Sequence, residues 1–114
     1  MKQKEFQQFL QGFTSLTSLT YLEVILSTLG GMNDGWLKVL GIALSRLTNL
    51  LTLRLMLPRS STLTKEGIGY ISSGLKGLCH LKTLCFNLLQ SIDITIEEKE
   101  EFCKGLKDVN VFYY

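Results

Sequence analysis

Proline is almost missing from this sequence: Pro58 stands alone among 114 residues. With scattered glycines and a single proline, collagen-like and proline-rich classes are excluded. Histidine is equally scarce, and His80 is the only one. No serine or carboxylate is recognisably placed to work with it, so no hydrolase triad is read and the chain is expected not to be an enzyme. Glycine pairs fall in turns rather than in a phosphate-binding loop, and no cofactor is expected. Cysteines number three: Cys79, Cys85 and Cys103. That odd count, with no Asn-x-Ser/Thr site, points to a reducing, intracellular and cytoplasmic setting. The spacing of the cysteines around His80 matches no zinc pattern, so no metal is expected. Cys85 beside Arg54 invites a reactive-thiol reading that nothing else in the sequence supports. Net charge is only +2, which argues against a dedicated nucleic-acid binder. Long apolar runs are also missing. The densest, from Leu47 to Leu57, is broken by Thr48, Asn49, Thr52 and Arg54 and is too short to span a bilayer. The N-terminal stretch MKQKEFQQFLQGF lacks the continuous apolar core of a secretory signal.

What is abundant is leucine, with 23 residues. Its spacing repeats. Leu16, Leu19, Leu22, Val24 and Leu26 form one block; Leu47, Leu50, Leu53, Leu55 and Leu57 form the next; Leu78, Leu81, Leu84, Phe86 and Leu88 form the third. Block starts at 16, 47 and 78 lie 31 residues apart. A shortened fourth block runs from Leu106 through Val109 and Phe112 to Tyr114, after a step of 28. Inside each block the apolar residues alternate with period two, which is strand periodicity with one side facing inward.

Between blocks the spacing changes to three and four. Phe6, Phe9 and Phe13 precede the first block, Leu37, Leu40 and Leu44 the second, and Ile68, Ile71 and Leu75 the third. Such spacing places each trio on one face of a helix. A helical crossover between consecutive strands makes those strands parallel. Gly30-Gly31 and Pro58 break the chain after the first two strands. Thr95 to Glu98 reads as a capping box for a fourth helix, whose apolar face shifts to Phe102 because Lys99 and Cys103 occupy its expected inward positions. Gly77 and Gly105 stand where helix ends often turn left-handed. The chain is expected to be one domain, 1–114, with an N-terminal helix over 1–14, repeats starting at 16, 47 and 78, and a partial repeat over 106–114.

The pattern of Leu47, Leu50, Leu53 and Leu55, repeated at Leu78, Leu81, Leu84 and Phe86, resembles leucine-rich repeats of the ribonuclease-inhibitor-like subclass. Leu63-Thr-Lys-Glu-Gly67-Ile68 resembles the start of that subclass's helices, with Met32-Asn-Asp-Gly-Trp36-Leu37 a weaker echo. The family's Asn or Cys ladder has no counterpart, since Ser27, Pro58 and Leu89 hold those places. The resemblance implies an α/β fold: a short right-handed solenoid of about 3.5 repeats, with a parallel β-sheet on the concave side and helices on the convex side. It also implies a scaffold for protein–protein interaction rather than catalysis.

By register, the partner-binding residues expected on the concave face are Tyr21, Glu23, Ile25, Thr52, Arg54, Met56, Thr83, Cys85, Asn87, Val111 and Tyr113. Glu23 and Arg54 stand opposite each other about 5 Å apart across adjacent strands and are expected to pair. The last strand, within 109–114, is expected to be an open apolar edge, offering edge-to-edge self-association or a place for a partner. Three functions are expected: a module that binds another protein, a structural subunit or fragment that stacks end to end in a larger array, or, as one branch of the resembled family implies, a regulatory domain acting on a GTPase. No nucleic acid or membrane is expected as a partner. On the second helix, Trp36, Val39 and Ile42 do not fit the inward face of Leu37, Leu40, Gly41 and Leu44. They either pack sideways or form a second docking patch.

Overall fold

The computed structural model describes residues 3–13, 15–26, 33–57, 64–86 and 109–113. In chain order these form α1 (Gln3–Phe13), β1 (Tyr21–Ile25), α2 (Asp34–Leu44), β2 (Thr52–Met56), α3 (Lys65–Leu75), β3 (Thr83–Phe86) and β4 (Asn110–Tyr113). The four strands form a parallel sheet in the order β1-β2-β3-β4. Leu22, Leu53 and Leu84 are lateral neighbours, as are Val24, Leu55 and Phe86. The 31-residue leucine spacing is therefore a sheet register.

Local chemistry repeats with the same step. Asn33 and Thr64 both sit in extended backbone at helix starts. Asn33 accepts the Gly35 amide at 2.9 Å, and Thr64 accepts the Glu66 amide at 3.2 Å. Each cap satisfies an amide that the first turn leaves without a partner. Downstream of each helix a tight turn leads toward the next strand: Leu19 donates to Leu16, Leu50 to Leu47 and Leu81 to Leu78, at 3.0–3.1 Å. The strand entrances are then tied by Thr52 donating to Thr20, Thr83 to Leu51 and Asn110 to Lys82. Asn49 adds a side-chain bond to the Thr17 carbonyl at 2.8 Å, joining consecutive turns.

One face of the sheet is buried against the helices. Leu53, Leu55, Leu84 and Phe86 are fully buried and share a core with Leu37, Leu40, Leu44 and Ile71. Each fully buried leucine contributes about 1.5–3 kcal/mol through removal of apolar surface from water. Sequence periodicity placed the α2 and α3 trios on the core side, and all six of those residues are buried.

Three expectations need correction. On α1, Phe6 and Leu10 are buried while Phe9 is 56% exposed. Among the described residues the helix that α1 packs against is α2, and the i, i+4 pair Phe6 and Leu10 is the part of α1 buried there. Gly77 has no left-handed backbone; Lys76 closes α3 in the right-handed region, its amide donating to Ser72. The last strand is displaced by one residue: Leu84 pairs with Val111 and Phe86 with Tyr113, a step of 27 rather than 28. Because side chains alternate, that slip exchanges the faces of the whole strand. Val111 and Tyr113 thus occupy core-side register positions, Val111 packs against the core, and Asn110 and Phe112 take the open-face positions. The Gly30-Gly31 and Pro58 breaks lie outside the described residues, as do Thr95 to Glu98, Phe102, Cys103 and Gly105.

Candidate functional site

The sheet has one open face. On β1, Tyr21 and Ile25 are 51% and 59% exposed. Between them Glu23 meets Arg54 of β2, with Nη1 to Oε2 at 3.2 Å and both side chains partly open to solvent. The Tyr21 hydroxyl donates to the same carboxylate at 3.4 Å. The expected cross-strand pair is therefore formed; in this partly solvated setting it is worth about 0–1 kcal/mol. Thr52, Met56 and Thr83 are half-buried, and Cys85 is buried. Exposure falls from β1 inward because β1 is an edge with a lateral neighbour on one side, whereas β2 and β3 have neighbours on both.

Cys85 therefore does not present its thiol freely on this face. Asn87 lies outside the described residues, and Val111 and Tyr113 belong to the core side of the register. The cysteines do not assemble either. Cys79 is exposed, Cys85 is buried, and no group of three metal-ligating side chains comes together among the described residues.

A second surface lies on the helix side. Trp36 is buried and stacks on Phe6, with ring centroids 5.0 Å apart and planes at 28°. It packs sideways, so the docking-patch reading of the indole is withdrawn. Ile42 instead is 52% exposed. It stands on a ridge between two grooves. One, of about 390 Å³, lies between α1 and α2 and is floored by Leu10, Val39 and Ala43. The other, of about 270 Å³, lies between α2 and α3 over Gly41 and Gly74.

The narrower groove has a backbone floor. A Cβ on Gly41 would collide with the Tyr70 carbonyl, and one on Gly74 with the carbonyl of Gly41. Near the helix starts Asp34 accepts the Thr64 amide at 2.8 Å and also its hydroxyl. Gly67 leaves the room that Asp34 and Leu37 fill. Sequence reasoning missed these grooves. The available signal was the 31-residue alignment itself, which sets Gly41 and Gly74 over Leu10 and Ala43, and Gly67 over Trp36.

No family model matches the chain, and neither does any curated protein. Its fold is similar to that of the solved structure of Leiomodin-1 Actin-Binding Site 2 (ABS2). The TM-score is 0.71 at 19% identity, and the match covers 100% of this chain and 64% of that one. These findings overturn the assignment to leucine-rich repeats of the ribonuclease-inhibitor-like subclass, and the solenoid architecture attached to it. What stands is an α/β arrangement of a four-stranded parallel sheet with three described helices. The leucine pattern reports the register of parallel strands and helical crossovers, a packing requirement that does not by itself establish a family. Among the described residues, no helix is long and apolar enough to cross a membrane.

Proposed function

We propose that this chain is a non-catalytic protein–protein interaction module that engages its partner through the open face of the sheet, centred on Tyr21, Glu23, Ile25, Thr52, Arg54 and Met56. The observation that carries this reading is the solvent-facing Tyr21 and Ile25 beside the Glu23–Arg54 pair. Tyrosine, methionine and arginine are enriched at protein interfaces, and a charged pair sets orientation. The structural neighbour's name supports the same class of function, since it is an actin-binding site, and actin is the first partner to test. An intracellular, reducing setting goes with this reading.

The experiment is co-sedimentation with filamentous actin, together with affinity capture from cell extract, using the wild type, Arg54→Glu and Met56→Asp. Loss of one captured protein by both variants, with unchanged folding by circular dichroism, supports the open face. Capture that both variants retain removes the open face as the binding surface. A second reading uses the sheet edge at β4, which no described strand pairs on its far side. Self-association that is lost on Asn110→Lys, at an exposed position of that strand, while the monomer stays folded would favour that edge.

A further inference from the structure

We propose a second interaction surface, on the helix side, that takes an acidic amphipathic segment of another protein. The surface is the ridge of Lys38, Ile42 and Arg46 with the groove on each side of it. These residues are four apart, so they climb one side of α2 into the turn after it at about 6 Å per step. All three are exposed. Ile42 lines both grooves, Arg46 lines only the α1 side and Lys38 only the α3 side.

Charge selects the occupant. Among the described residues, Lys38 and Arg46 are the only charged ones lining the two grooves, and both are cations. Between them the surface is apolar: Ile42 on the ridge, with Leu10, Val39 and Ala43 flooring the wider groove. Lys38 has its ammonium over the Tyr70 ring, 5.7 Å from the centroid, which keeps the charge on the groove rim. A segment that fits offers one apolar side chain to the wider groove and carboxylates on both sides of it, about 12 Å apart, the length of two helical turns and a little more. A basic segment would face two like charges, and a wholly apolar one would leave both cations without partners at the rim. This surface is on the opposite side of the sheet from the open face, so the two proposals stand or fall separately.

The test is panning of a displayed library of random 16-residue peptides against the full chain, followed by titration of the enriched peptides onto the ¹⁵N-labelled protein. Expected are peptides rich in Asp and Glu around a Leu, Ile or Phe, with chemical-shift changes at Lys38, Ile42, Arg46 and Tyr70. Lys38→Glu with Arg46→Glu should weaken them by roughly tenfold or more and shift the selected library toward Lys and Arg. Ile42→Asp should abolish binding while the amide spectrum keeps its dispersion. No enrichment, enrichment without acidic bias, or shifts confined to Tyr21, Ile25 and Met56 would each overturn the proposal. The last outcome would at the same time support the open sheet face.

Discussion

The two helix seams occupy the same place in successive 31-residue units, yet they are closed differently. Between α2 and α3, Gly41 and Gly74 bring backbone against backbone, and Gly67 makes room for Leu37 and Asp34. Between α1 and α2, the equivalent residues are Leu10, Ala43 and Trp36. There the indole stacks on Phe6, and a groove of about 390 Å³ remains where its counterpart holds about 270 Å³. Helix separation follows the size of the side chains at the contact. Glycine yields a close seam with many dispersion contacts, while aromatic and leucine side chains hold their helices apart and leave a recess. One register thus supports a narrower junction and a wider one, and three residue positions distinguish them.

The largest expected effect is on the aromatic seam. Trp36→Ala should cost about 3–5 kcal/mol, because it removes the stacked ring and leaves a cavity beside Phe6. Urea unfolding would measure it, and a loss under about 1 kcal/mol would mean that α1 adds little to the core. On the glycine seam the opposite change is disruptive. Gly74→Ala should destabilise by about 1–3 kcal/mol, since the new methyl group meets the Gly41 carbonyl. The gain in helix propensity, about 1 kcal/mol or less, is too small to offset this.

Smaller effects sharpen the contrast. Asp34→Ala should cost about 0.5–2 kcal/mol by removing the acceptor for the amide and hydroxyl of Thr64. A double-mutant cycle with Thr64→Ala should show coupling between the two helix starts; additive losses would contradict it. Gly69→Ala is the control on the same helix as Gly74. A Cβ there meets nothing within 4 Å, so the substitution should stabilise by about 0.5–1 kcal/mol, seen as a raised thermal midpoint. If Gly69→Ala and Gly74→Ala moved stability in the same direction, the close-seam account would fail.

Much of the layout was readable from spacing. Period-two leucines predict strands, the three-and-four spacing predicts helices, and the 31-residue step predicts that Leu22, Leu53 and Leu84 stack, as they do. The Glu23–Arg54 pair followed from the same register. The face of β4 was misread because its segment follows a shorter step, and a one-residue error in a strand inverts every side chain. Phe9 was misread because helical periodicity marks an apolar stripe without saying how much of it a neighbour covers. The family name was misread because a leucine pattern states a packing requirement that does not by itself identify a family.

By itself the sequence determined which residues share a face, since that depends only on backbone periodicity and on keeping leucine from water. It also determined the pairing of the first three strands, because an equal number of residues separates them. Only the tertiary structure decided how close the helices come, which face of the sheet stays open, and where a recess is left. Those properties depend on side chains from different units meeting in space, and no one segment contains them. Gly41 has no special meaning within α2; it acquires one when Gly74 arrives against its carbonyl.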